Sequence, residues 1–280
     1  GFENALDTSG FKEGVNVIYD RQNAHGDMNK ANIIAQKFID EKVDLIHALS
    51  TPATQAVMKI TRNIPVVFSS VTDPISAGIV PKDSAPGKES GTNVTGVSDR
   101  WPVFEQMKLY SKIIPNAKKW GTLYNAGEAN SVVHIKEVRE AAKKLGLELV
   151  EVTVTDRSEV AQAVLSLVGK VNAIVTASDN TTSSATEIIV KICNEKKIPL
   201  FAGDLAGVPM GATAAYGLDY FMIGYSAGKK ASLVLKGTKP GKIPWGPLEK
   251  FSLVINQSAA KIQGVTIPPD ILKNASKVIK

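Results

Sequence analysis

The sequence predicts an α/β fold of two similar parallel-sheet lobes joined by a three-crossing hinge, and three observations predict it. Short β-branched apolar runs at 43–49, 64–68 and 171–175 alternate with segments whose apolar residues recur at helical spacing, the pattern of strands buried on both faces between helices. That alternation halts in the glycine-, proline- and lysine-rich stretch 81–96 and restarts at Trp101, so two moderate domains are more economical than one large sheet. Polar bursts at 50–54 and 178–184 fall where a strand hands over to a helix. In an open parallel sheet that junction binds ligands, because free N–H groups and a positive dipole end point into a crevice.

In chain order, residues 1–7 read as the end of a helix closed near Gly10, and 15–20 alternate as a strand. A parallel sheet opening on a helix lacks its first strand, so a strand is expected ahead of Gly1. Asp27 starts a helix through Ile33, Ile34, Phe38 and Ile39. After strand 43–49, Ser50 and Thr51 offer N-caps and Pro52 suits the first helical position. Helix 55–61 leads to strand 64–68 and a polar end containing Ser70 and Asp73, and 93–97 forms a short strand leaving the first lobe.

The second series begins with a helix through Phe104, Met107, Leu109 and Tyr110, followed by strand 120–124 with Asn125, Glu128, Asn130 and Ser131 crowding its end. Helix 132–145, strand 148–154, helix 158–168, strand 171–175, the 178–184 junction and its helix, and strand 200–203 with Asp204 complete it. In the tail, 212–218 is a strand, Asp219 caps helix 220–235, 240–244 is a rigid turn, and strand 251–256 precedes helix 258–263. Crossings near 98–101, 211–219 and 245–251 make a hinge. The expected division is 1–98 with 219–248 as lobe 1, 99–211 with 249–280 as lobe 2, and 212–218 as a hinge crossing.

Composition narrows the function. The chain of 280 residues carries a formal charge of +6, and its lysines are spread along the sequence without interleaved aromatics, which argues for a solvated surface and against nucleic acid. The single cysteine, Cys193, falls in an apolar helical stripe, so neither a disulfide framework nor a cysteine metal site exists within the chain. His25, His47 and His134 lie far apart without a second ligand at i+3 or i+4, and no metal or cofactor is expected. No Ser/His/Asp elbow or phosphate-binding glycine loop points to an enzyme, and no catalytic residue is assigned.

Five stretches carry a resemblance. Leu-Ser-Thr-Pro-Ala-Thr-Gln-Ala (49–56), Thr-Asp-Pro (72–74), Tyr-Asn-Ala-Gly-Glu-Ala-Asn-Ser (124–131), Ser-Asp-Asn-Thr-Thr (178–182) and Gly-Leu-Asp-Tyr (217–220) together resemble solute-binding proteins of bacterial ABC transporters, of the branch associated with tryptophan, tyrosine and phenylalanine uptake. The resemblance implies the type I periplasmic-binding-protein fold, a small amino acid held between two lobes, delivery to a membrane permease, a monomer, and an extracytoplasmic location, lipid-anchored or periplasmic. The family's strand and polar loop ahead of the first helix have no counterpart here.

Each candidate has a structural alternative. Ser50 and Thr51 either donate to a ligand carboxylate or cap their helix, with one of the pair expected to cap. Asp73 before Pro74 is a turn starter or a ligand contact. Asn125, Glu128, Asn130 and Ser131 are more polar groups than a cap requires. Asp179, with Asn180 and Thr181, sits where a helix N-terminus stabilises a carboxylate unaided. Asp204 has no lysine or arginine near it in sequence, as a receptor for an amino group would. A ligand amine would meet Asp204, Asp179 or Asp73. The rival readings are the effector domain of a LacI-like transcription regulator, with a helix-turn-helix ahead of Gly1, and an α/β enzyme.

Overall fold

The computed structural model describes all 280 residues and divides them into two compact units: residues 1–100 with 220–249, and residues 101–219 with 250–280. Both are α/β.

Unit 1 contains α1 (Phe2–Thr8), α2 (Met28–Asp40), β1 (Ile46–Leu49), α3 (Thr51–Ile60), β2 (Val66–Val71) and β3 (Val94–Ser98), and later in the chain α10 (Tyr220–Leu235) and β9 (Gly246–Pro247). Its sheet runs β1-β2-β3-β9 and is parallel throughout. Phe68 and Val66 are fully buried and pack in one core with Val57, Met58, Val94 and Trp245, which anchors β2 against α3 and β3. Helix α1 lies on α10 at close range: a Cβ on Gly228 would come 2.4 Å from the Phe2 carbonyl oxygen, so a side chain there would part the helices.

The strand expected at 15–20 does not form. Val15 is 79% and Ile18 95% exposed, and Val17 turns back to bond Lys12 through its N–H at 3.2 Å. Alternation alone cannot make a strand without a neighbour to complete its ladder, and no strand of unit 1 pairs with this segment beyond the single bridge of Glu13 with Val17.

Unit 2 holds α4 (Val103–Ile113), β4 (Lys119–Tyr124), α5 (Ala129–Leu145), β5 (Glu148–Thr153), α6 (Val160–Leu167), β6 (Ala173–Val175), α7 (Asn180–Ser183), α8 (Thr186–Lys196), β7 (Leu200–Ala202), α9 (Gly207–Met210) and β8 (Ala214–Leu218), then β10 (Phe251–Asn256), α11 (Gln257–Ile262), α12 (Pro269–Lys273) and β11 (Lys277–Ile279). Seven strands order as β11-β10-β8-β7-β6-β4-β5. From β4 to β8 neighbours are parallel, while β10 runs antiparallel to β8. The β8 residues were expected as a crossing outside either lobe. They are an inner strand of this sheet instead, because both their edges find ladder partners, β7 and β10. Cys193 is fully buried in the core with Ile189, Leu200 and Ile174, as the apolar stripe predicted.

Candidate functional site

In unit 1 the β1-to-α3 junction is strained. Ser50 has φ 84° and ψ 160°, a conformation that favours glycine, and Ser70 within β2 has φ 57° beside a register shift between Ser69 and Val71. The expected cap is absent: Ser50, outside the extended backbone usual for an N-cap, makes no capping bond through its hydroxyl, and Thr54 Oγ1 donates to the Ser50 carbonyl at 2.7 Å. Thr51 is 2% exposed and its hydroxyl has no partner. A buried unpaired hydroxyl at the positive end of a ten-residue helix is suited to an anionic group. Asp73 is engaged by its own turn, accepting from the N–H groups of Ile75 at 3.1 Å and Ser76 at 3.0 Å and from the Ser76 hydroxyl at 3.0 Å.

Sequence reasoning passed over Asp99. It follows β3, is 3% exposed, and accepts from the Thr72 hydroxyl at 3.3 Å and the Tyr220 hydroxyl at 2.9 Å. The available signal was its place at a strand's C-terminal end, the same position that singled out Asp179 and Asp204.

In unit 2 the structure brings seven of the predicted residues into one network. Glu128 accepts from Asn180 N–H at 3.0 Å and Thr181 N–H at 3.0 Å, from the Asn180 amide at 2.6 Å, from the Thr181 hydroxyl at 2.8 Å and from the Asn130 amide at 3.1 Å. Asp179 accepts from Asn125 N–H at 2.7 Å, Thr182 N–H at 2.6 Å and the Ser131 hydroxyl. Asn125 donates its amide to Thr181 Oγ1 at 2.9 Å, and Asn130 donates to the Ser178 carbonyl at 2.8 Å. Burial, followed by the nearby Glu128 charge, holds the Asp179 carboxyl above its ordinary range. Both carboxylates therefore serve this junction itself, tying the ends of β4 and β6 to α7.

Asp204 differs. One oxygen accepts from Ala206 N–H at 2.8 Å and Gly207 N–H at 3.2 Å; the other has no protein partner, and no lysine or arginine pairs with it. Burial pushes this carboxyl up, so its charged form gains from any cation that reaches it. Its loop is held on every side. Gln106, 2% exposed, donates to the carbonyls of Gly203 at 2.8 Å and Tyr216 at 2.7 Å. The Tyr110 hydroxyl donates to Ala202 O at 2.7 Å and accepts from Tyr216 N–H at 2.9 Å, while Thr176 Oγ1 accepts from Gly203 N–H at 3.0 Å. Trp101 closes on Gly203, where a Cβ would stand 1.7 Å from the indole ring, so only glycine fits. The Trp101 ring in turn meets the edge of His134, centroids 4.8 Å apart at 80°.

Both inner histidines are kept neutral by burial. His134 accepts from Ser178 N–H at 3.2 Å and its pKa falls to about 3; His47, stacked on Phe2 at 3.7 Å and bonded to the Ser69 hydroxyl at 2.8 Å, falls to about 4. Against an unfolded value of about 6.5, the folded chain binds fewer protons than the unfolded chain throughout the interval between, so stability is lost as pH falls below 6.5, by up to about 1.4 kcal/mol per pH unit for each histidine. The raised carboxyls of Asp179 and Asp204 act in the opposite sense, adding stability on acidification. Urea midpoints compared between wild type and His134→Gln isolate the histidine: the acid loss is expected to be shallower in the variant, and identical slopes would contradict a neutral buried His134.

The model of the family described as ABC transporter substrate binding protein matches residues 1–279. The chain belongs to that family. Among relatives of this substrate-binding protein, a tyrosine-binding protein from Clostridioides difficile (strain R20291) is 40% identical over 261 residues, which are 93% of this chain and 74% of that one. A conserved domain protein of known structure from Vibrio cholerae superposes with a TM-score of 0.95 at 35% identity, covering 99% and 92% of the two chains. A Streptococcus pneumoniae ABC domain solved in complex with L-Trp superposes at 0.91 with 33% identity, covering 99% and 93%. The fold is that of the type I periplasmic binding proteins, and no helix is long and apolar enough to cross a membrane.

Proposed function

We propose that this protein is the extracytoplasmic binding component of an ABC importer for a small amino acid with an aromatic side chain, which it holds without chemical change and hands to a membrane permease. The observation that carries the reading is the open oxygen of Asp204: a carboxylate with a raised pKa and no cationic partner, at the C-terminal end of β7, awaits an ammonium. The tyrosine-binding relative and the L-Trp-bound neighbour support the aromatic class. On this reading the protein works as a monomer, lipid-anchored or free in the periplasm, and no residue is catalytic. In unit 1, the Thr51 hydroxyl beside the α3 N-terminus is the group best suited to a ligand carboxylate.

Free tryptophan, tyrosine and phenylalanine are expected to raise the melting temperature of ligand-free protein, a ligand at 100 times its dissociation constant adding about 2.7 kcal/mol. Should all three leave the melting curve in place while an aliphatic amino acid moves it, the aromatic assignment is wrong and the amino-acid class survives.

A further inference from the structure

We propose that one pole of unit 2 is a docking surface for an anionic lipid bilayer. Read along the chain the lysines are dispersed, but the topology gathers them. Strands β4 to β8 are parallel, so their N-terminal ends share one end of the unit, and α4, α5, α6 and α8 each run back to that end before the next strand begins. Three lysine doublets arrive there: Lys118 and Lys119 at the start of β4, Lys143 and Lys144 in the last turn of α5, and Lys196 and Lys197 closing α8. Lys112 in the last turn of α4 and Lys170 in the loop before β6 join them. So does Lys261 in α11, two residues before Gln263, whose side chain accepts from Leu200 N–H at 2.8 Å at the start of β7.

All nine are exposed, and Glu148 and Glu195 are the acidic residues of the same turns and loops. Lys119 alone of the nine forms an ion pair, with Glu148 at 3.0 Å. The opposite end of the sheet carries Glu128, Asp156, Asp179 and Asp204, so the unit is electrically polarised along its strands. A helix C-terminus favours a cation, but one per terminus satisfies it, and the doublets and loop lysines exceed that need.

Trp120 and Phe201 on the strands that start at this pole are fully buried, and the half-buried Phe104 ring lies under Lys144 Nζ at 5.8 Å, so the pole has no row of open rings on which nucleic-acid bases could stack. A bilayer asks only for dense positive charge within a Debye length of its surface, about 8 Å at physiological ionic strength, and the family works beside a membrane transporter.

The test uses the whole chain and sedimentation with two sets of vesicles, phosphatidylcholine alone and phosphatidylcholine mixed with phosphatidylglycerol, at an ionic strength near 0.15 M. Wild type is expected to bind only the anionic vesicles. The variant Lys118→Glu/Lys144→Glu/Lys170→Glu/Lys196→Glu should lose on the order of 100-fold in partitioning. The equally charged variant Lys59→Glu/Lys82→Glu/Lys88→Glu/Lys239→Glu, built on exposed unit 1 lysines, should keep most of it. Circular dichroism melting confirms that each variant is folded, and a set of Lys→Gln changes at the same pole replaces the first if it is not. The proposal is overturned if wild type ignores anionic vesicles, if both variants lose binding alike, or if the pole lysines instead govern binding to an oligonucleotide.

Discussion

Asp204→Asn is expected to weaken amino-acid binding by about 2–5 kcal/mol while leaving the melting temperature of the ligand-free protein unchanged or higher. The asparagine oxygen can still accept from Ala206 and Gly207 N–H, so the turn into α9 is kept. What goes is a charge that burial already disfavours, as the raised carboxyl pKa records. The ligand ammonium then meets a neutral group in a half-buried setting, and its desolvation is no longer offset. Asp179→Asn should behave in the opposite way. Both of its oxygens accept, from Asn125, Ser131 and Thr182, so an amide nitrogen must face a donor and the folded state weakens whether or not ligand is present. Calorimetric titration and melting of both variants separate the roles. Normal binding by Asp204→Asn together with abolished binding by a stably folded Asp179→Asn would place the amine on the wrong carboxylate.

The second large effect is expected at Gln106. Its amide nitrogen serves two buried carbonyls, Gly203 and Tyr216, and Gln106→Ala leaves both without this donor and opens a cavity under the loop. Each orphaned acceptor costs about 1–3 kcal/mol, so a loss of several kcal/mol in unfolding free energy is expected from denaturant titration. A loss below about 0.5 kcal/mol, the usual range for an exposed site, would mean that the Asp204 loop is held by Trp101, Tyr110 and Thr176 without it.

The buried strands and the strand-end polar clusters were legible because β-branched runs and helical spacing are local signals. Residues 15–20 failed as a strand because alternation says which face a strand buries but not whether a neighbour exists to pair with it. The placement of 212–218 failed for a related reason: pairing with both β7 and β10 is decided by partner residues 13 and 33 or more positions away. The polar residues of the β4 and β6 ends were found, but not that they satisfy one another. Glu128 meets Asn180 and Thr181 across 52 and 53 positions, a distance over which sequence spacing carries no geometry. Gln106 carried no signal in the sequence and Trp101 only marked the start of a helix, and the tertiary structure alone shows them clamping the Asp204 loop.

A ligand ammonium meeting the open oxygen of Asp204 is open to a single calorimetric comparison. Wild type is titrated with L-tyrosine and with 3-(4-hydroxyphenyl)propionate, which keeps the ring and the carboxylate and lacks the amine. Tyrosine is expected to bind, and the analogue to bind at least about 30-fold more weakly, the loss that follows when one member of a buried charge pair is removed. Equal affinities for the two would mean that Asp204 does not receive the amine, since a site built around its carboxylate cannot be indifferent to that group.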